Sequence, residues 1–326
     1  MSATLLEARD LHVWFDLEGG RTLHAVQGVS FGLDPGERLG LVGESGCGKT
    51  TTALALMGLL PSNAEVSGQV LFQGKDVLAG GEESVRAHRW VDLAMVFQGA
   101  MNSFNPVRTV GAQIVEALEL HRVAEGAAAR AQAGRLLESV GIPAERARRY
   151  PHEFSGGMRQ RAAIAMALAC RPSILVADEP TTALDVMVQA QILELLDGLC
   201  NDFGLALVLV THDLPVVAQL CDRAAVMYAG EIVEEGSVDT LFHAPRHPYT
   251  RLLFAATPEL YDNGVQVASI PGAPPRLDRP LVGCPFQPRC DSAFARCADE
   301  RPLLRRLEVS HAAACHLNDV PAEVTA

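Results

Sequence analysis

The 326-residue chain has no dense run of lysine or arginine: 27 basic residues stand against 39 acidic ones, a formal charge of −12. A protein that tracks a phosphate backbone needs clustered cations, so nucleic acid is not an expected partner. No apolar stretch approaches the roughly 18 residues that read as a membrane span. The opening residues, Met1-Ser2-Ala3-Thr4-Leu5-Leu6-Glu7, lack the basic-then-apolar layout of a secretion signal. Eight cysteines are too few for a disulfide scaffold of this length, although Cys284, Cys290, Cys297 and Cys315 crowd the C-terminal region. What remains is 48% hydrophobic and 20% charged, an ordinary globular composition with length for one large domain and a smaller one.

The chain is organised around Gly43-Glu44-Ser45-Gly46-Cys47-Gly48-Lys49-Thr50-Thr51, which fits the phosphate-cradling pattern GxxxxGK[ST]. Before it, Leu39-Gly40-Leu41-Val42 reads as a buried parallel strand; after it, Thr52 to Met57 reads as a helix. The glycines let successive backbone N–H groups and a helix N-terminus meet phosphate oxygens. Lys49 adds charge at the β/γ end, and the Thr50 hydroxyl can ligand Mg2+.

Residues 4–33 alternate apolar and polar positions about Gly19-Gly20, which predicts antiparallel strands in a side sheet. Adjacent Trp14 and Phe15 then face opposite sides, so one can stack on an adenine while the other enters the core. Three further strands are predicted to end in polar groups: Leu93 to Gln98, Ile174 to Asp178-Glu179, and Ala206 to Val210 followed by Thr211-His212-Asp213. Carboxyl ends of strands in an open α/β sheet face the ligand crevice, so Gln98, Asp178, Glu179 and His212 are expected at one edge. There Asp178 can hold the Mg2+ water shell, Gln98 can touch Mg2+ or the attacking water, and Glu179 can accept a proton from water attacking a γ-phosphate. Helical spacing over Val110 to His121 and Ala127 to Val140 marks an insertion at about residues 99–170. Within it, Ser155-Gly156-Gly157 opens an Ala-rich helix as an N-cap and a second anion-binding helix start. A helix is expected from Val186 to about Phe203. Near residue 241 the composition changes: Pro258, Pro271, Pro274, Pro275, Pro280 and Pro285 mark a linker into a small unit with scant regular structure. Nothing in the sequence ties that unit to the phosphate site.

In order and spacing these motifs resemble those of an ATP-binding cassette (ABC) ATPase. Gly43 to Thr51 is similar to Walker A, Gln98 to the Q-loop and Ser155-Gly156-Gly157-Met158-Arg159-Gln160 to the signature. Ile174 to Glu179 is similar to Walker B, Ala183-Leu184-Asp185 to the D-loop and Thr211-His212 to the switch histidine. By position Phe15, rather than Trp14, resembles the adenine-stacking aromatic. The signature departs from LSGGQ at Phe154 and Met158 but keeps Ser155 and both glycines. Tyr150 to Arg161, Asn105-Pro106-Val107, His247-Pro248-Tyr249-Thr250, Ile270-Pro271-Gly272 and Gly283-Cys284-Pro285-Phe286 extend the resemblance over nearly the whole chain. Those stretches resemble D-type ATPase subunits of oligopeptide/dipeptide permeases.

The resemblance implies an α/β P-loop NTPase cassette over residues 1–240, with a RecA-like parallel-sheet core, an antiparallel β side sheet and the helical insertion. A small irregular Cys-rich domain over 241–326 follows. It also implies ATP hydrolysis with Mg2+ to drive import of di- or oligopeptides at the cytoplasmic face of the cell membrane. The expected partners are a second, related ATPase subunit in a heterodimer, two transmembrane permease subunits met by residues 102–110 and the Gln98 loop, and an extracytoplasmic substrate-binding protein. Each ATP would lie between one subunit's Walker A and the other's signature, with Asp185 beside it. Relatives with the same tail carry nickel or oligosaccharides. Non-transport cassettes are the other alternative: those of DNA repair and chromosome maintenance carry a long heptad coiled coil between Walker A and signature, and translation factors usually carry two cassettes. Thr51 to Ser155 leaves room for the insertion alone, and each motif occurs once.

The tail cysteines follow C-x5-C-x6-C-x17-C. Disulfides are disfavoured in the cytoplasm, so four thiolates on a metal centre suit the pattern better. Zinc sites more often show C-x2-C pairs and iron–sulfur clusters tolerate looser spacing, which leaves both open. The D-type resemblance implies a 4Fe-4S cluster on Cys284, Cys290, Cys297 and Cys315, with a structural or redox-sensing role. Cys47, Cys170, Cys200 and Cys221 are expected in the loop or core as small apolar residues.

Overall fold

The computed structural model describes residues 4–99, 103–182, 184–256 and 270–319. The first two strands, β1 (Leu6–Leu17) and β2 (Arg21–Leu33), pair antiparallel about the Gly19-Gly20 turn, as the alternation predicts. The chain then enters a second sheet through β3 (Arg38–Val42), whose carboxyl end feeds the phosphate loop and α1 (Lys49–Leu56). It returns to the side sheet as β4 (Ala64–Phe72) and β5 (Lys75–Asp76), giving the order β2-β1-β4-β5. After α2 (Gly81–His88), β6 (Leu93–Val96) opens the far edge of the main sheet.

The insertion follows the sequence closely. α3 (Val110–Leu120) is capped by the Thr109 hydroxyl, α4 (Gly126–Ser139) packs against it, and α5 (Gly156–Ala167) starts at Ser155, whose hydroxyl accepts from the Met158 N–H. β7 (Ile174–Asp178), fully buried, then leads to α6 (Val186–Phe203), which Asp185 caps and Gly204, at φ 61°, terminates. β8 (Ala206–Thr211), α7 (Leu214–Leu220), β9 (Arg223–Tyr228), β10 (Glu231–Ser237) and α8 (Val238–His243) complete the cassette.

α9 (Pro248–Ala255), α10 (Ala295–Asp299), β11 (Arg305–Glu308) and β12 (His311–Ala313) belong to the C-terminal unit, which is less irregular than its prolines suggest. β12 pairs antiparallel with β10 through Glu234 and Glu235, so the main sheet runs β11-β12-β10-β9-β3-β8-β7-β6 and continues past residue 240. β9, β3, β8, β7 and β6 are parallel neighbours. Their near-continuous apolar sequences reflect burial on both faces: one core lies toward the side sheet and α1, the other toward the insertion, α6 and the C-terminal unit. Tyr228, Tyr249 and Phe286 are fully buried against one another where the C-terminal unit meets the cassette.

Candidate nucleotide site

The parallel order β3-β8-β7-β6 sets four carboxyl ends side by side. β3 delivers the phosphate loop, β8 delivers His212, β7 delivers Asp178 and Glu179, and Gln98 follows β6. Two loop glycines are dictated by space as well as by conformation. Gly43 sits at φ 148°, where a Cβ would fall on the Met227 carbonyl oxygen, and Gly48 at φ 108°, where it would fall on that of Ala25. Lys49 is buried and donates to the loop carbonyls of Gly43 (2.7 Å) and Glu44 (3.0 Å), which places its ammonium inside the cradle. Thr50 Oγ1 donates to Asp178 Oδ1 at 3.1 Å. The Asp178 carboxyl is pushed up to about 6, chiefly by burial and with help from the adjacent Glu179 charge, against the pull of the Thr50 hydrogen bond and the Lys49 charge. A cation at this spot would relieve that penalty, so the hydroxyl–carboxylate pair fits Mg2+.

Glu179 is held from three sides. Gln98 Nε2 donates to Oε2 at 2.7 Å, the Thr182 hydroxyl donates to Oε2 at 2.9 Å, and His212 Nδ1 lies 2.9 Å from Oε1. Burial acts to raise its carboxyl, but the His212 and Thr182 hydrogen bonds and the His212 and Lys49 charges outweigh it, so the group titrates below its ordinary range. Its φ of 44° lies in the left-handed region, a cost of order 1–3 kcal/mol that the three contacts hold in place.

A cavity of about 440 Å3 lies over the loop, the size of a small-ligand pocket. Phe15, Ser45, Gly46, Gly48, Lys49, Thr50, Thr51, Gln98 and Glu179 line it, which brings most of the sequence-predicted residues together. Trp14 turns away, donating from Nε1 to Glu65, as expected if Phe15 is the stacking ring. Cys47 is buried under the loop, its thiol pushed up by burial. Ser155, Gly156, Gly157 and Asp185 do not line the cavity; they open α5 and α6, where Asp185 Oδ1 accepts from the Val188 N–H at 3.0 Å. Ala183 and Asn102 lie outside the described residues.

One expectation is overturned, since the C-terminal unit is tied to the phosphate loop. Arg289 grips Glu44 with both arms, Nη1 to Oε2 at 2.6 Å and Nη2 to Oε1 at 3.0 Å. It also donates to the Tyr228 hydroxyl and the Pro271 carbonyl. The Glu44 N–H donates to the Tyr249 hydroxyl at 2.8 Å, and Pro275 and Leu277 line the nucleotide-sized cavity beside Phe15. Glu44 and Arg289 are 245 positions apart, and no spacing or periodicity in the sequence marks the pair.

The four tail cysteines converge: Cys284, Cys290, Cys297 and Cys315 line one small cavity of about 10 Å3 with His247, Phe286 and His316. Burial, then the charges of the other three thiols, push the Cys315 thiol up to about 11. Among the described residues no group of three or more His, Cys, Asp or Glu is arranged to hold a metal ion, so the thiols share a cavity without ligand geometry. The other four cysteines pack in or against the cores.

Residues 26–182 match the family described as "ABC transporter", and residues 233–297 match "Oligopeptide/dipeptide transporter, C-terminal region". The dipeptide transport ATP-binding protein DppD of Bacillus subtilis is 47% identical over 98% of this chain and 96% of its own length. The oligopeptide transport ATP-binding protein OppD of Escherichia coli is 48% identical over 92% of this chain and 89% of its own. Among solved structures, a dimeric ATP-binding cassette in a post-hydrolysis state, bound to ADP and Pi, is similar with a TM-score of 0.64 at 27% identity, covering 72% of this chain and 98% of that one. Among the described residues, no helix is long and apolar enough to cross a membrane.

Proposed function

The chain belongs to the ABC transporter family of ATP-binding proteins, and from that membership we propose that it is the ATP-hydrolysing motor subunit of an importer for di- or oligopeptides. The observation that carries the reading is the meeting of Gln98, Thr182 and His212 on Glu179, beside Lys49 and the Thr50–Asp178 pair. In the reaction, the loop amides of Ser45 to Thr51 and Lys49 bind the β- and γ-phosphates while Phe15 stacks on the adenine. Thr50, Asp178 and Gln98 would hold Mg2+, which would supply positive charge to neutralise that developing on the phosphates. Glu179, ionised at neutral pH, accepts the proton of the attacking water, and His212 keeps its carboxylate oriented.

Ser155, Gly156 and Gly157 serve the other subunit's nucleotide. Their amides open α5 away from this chain's own cavity, and Val186 and Met187, strongly exposed after Asp185, offer a face for a partner cassette. We assign that partner to a related ATPase, with both beneath two transmembrane permeases at the cytoplasmic face of the membrane and a substrate-binding protein outside it. The exposed Val107, in the stretch 102–110, suits a permease contact. Reconstituted with those partners, the complex should accumulate peptide only with ATP and Mg2+. Import of nickel or an oligosaccharide instead would overturn the peptide assignment and leave the motor intact.

The four tail cysteines supply the donor chemistry of a thiolate-bound centre and line one cavity, although not in ligand geometry. We assign it to a 4Fe-4S cluster, with zinc as the alternative, in a structural or redox-sensing role. Anaerobic purification followed by iron, sulfide and zinc analysis tests it: one equivalent of zinc without iron would replace the cluster and keep the four ligands.

A further inference from the structure

The C-terminal unit reaches the nucleotide cavity at two separate places. At the phosphate end, the Arg289 side chain is 4% exposed and makes a bidentate pair with Glu44, a residue of the loop itself. The remaining nitrogen of that guanidinium is also fixed, Nε to the Pro271 carbonyl at 2.7 Å, and Nη1 donates as well to the Tyr228 hydroxyl at 3.3 Å. The loop is therefore pinned from behind by a rigid fork. At the opposite end, Pro275 and Leu277 line the cavity with Phe15 and Leu23. The Leu277 carbonyl accepts from the His24 N–H at 3.0 Å, and Asp278 pairs with Arg21 at 3.3 Å, which fastens this segment to β2.

Electrostatics adds a second consequence. Glu44 puts a carboxylate in a loop whose task is to receive phosphates, and like charges disfavour one another. Arg289 neutralises it and, because it is nearly buried, does so with little screening from solvent. A bidentate guanidinium–carboxylate pair also fixes geometry in a way that a lysine point charge does not.

Taking the cavity as the ATP site, we propose that the C-terminal unit is part of it: Arg289 positions and neutralises the phosphate loop through Glu44, while Pro275 and Leu277 wall the base side across from Phe15. Arg289 is thus a positioning residue, and Leu277 a binding residue. In chemical terms, loss of the fork leaves an unpaired carboxylate next to the phosphates, and loss of the Leu277 side chain removes apolar contact from the base alone.

The test is calorimetric binding of Mg-ADP and of magnesium tripolyphosphate, which carries phosphates without a base, to the full chain. Arg289→Met should raise both dissociation constants about tenfold. Adding Glu44→Gln should recover at least about threefold of that loss, because the second change removes the orphaned charge. Leu277→Ala should weaken ADP about threefold and leave tripolyphosphate unchanged. Arg289→Lys, which keeps charge without the fork, should fall between natural chain and Arg289→Met, and remains readable should the latter not fold. A purely structural tail would lower the unfolding midpoint and move neither constant; both within twofold of the natural chain in the Arg289 and Leu277 variants overturns the proposal. Failure of the natural chain itself to bind ADP would instead overturn the reading of the cavity.

Discussion

At the scale of single residues, Glu179 concentrates the most consequence. It lies one position beyond β7 at positive φ, and three side chains from three different segments hold its two oxygens. Glu179→Gln keeps the shape and removes the base, so ATP binding should persist while turnover falls at least about 10²-fold; phosphate release against filter-bound ATP measures the split. His212→Ala frees one oxygen and should lower turnover with little change in ATP affinity. Lys49→Ala removes the ammonium inside the cradle and should instead raise the ATP dissociation constant. The identity of these groups was legible in the sequence because each ends an apolar strand, and strands of a parallel sheet deliver their ends to one edge. Arg289 was not legible. Its importance comes from a contact between distant parts of the chain, and an arginine beside Cys290 in a proline-rich tail looks like any solvated cation.

Elements with a local cause were read nearly to the residue. α6 runs from Val186 to Phe203 because Asp185 caps it and Gly204 ends it, and both signals are in the sequence. β11 and β12 were missed, since four and three residues are too short for periodicity and β12, which carries β11, pairs with a strand nearly eighty positions away, β10. The start of α9 shows how one such cap carries pH dependence. His247 Nδ1 accepts from the Tyr249 N–H, its own N–H donates to Glu234, and Glu234 also takes bonds from the Arg246 N–H and His311. Burial pushes the His247 imidazole from 6.5 down to about 3, so the unfolded chain binds a proton that the folded chain refuses. Its contribution is complete above pH 6.5 and is lost as pH falls from there toward 3, by up to about 1.4 kcal/mol per pH unit. Denaturant unfolding across that window should show the slope, and His247→Asn, which still caps but does not titrate, should flatten it.

For the whole molecule, the joint between cassette and C-terminal unit is an aromatic core rather than a hinge. Tyr228, Tyr249 and Phe286 meet with ring centroids 4.6–5.4 Å apart, and Phe286 is 1% exposed. Phe286→Ala should cost about 3–5 kcal/mol, seen as one lowered, still cooperative unfolding transition. Two transitions would show that the units melt separately. The same continuity has a bearing on solubility. β10 borders β9 on one side and β12 on the other, and the outermost strand, β11, is short and carries Arg305, Arg306 and Glu308 on largely exposed positions. Charged, four-residue edges do not template the addition of another chain, whereas the longer β10 would. Residues 305–313 thus act as a selvedge on the sheet: cut away, they would leave a ready seam along which one molecule could stitch to the next.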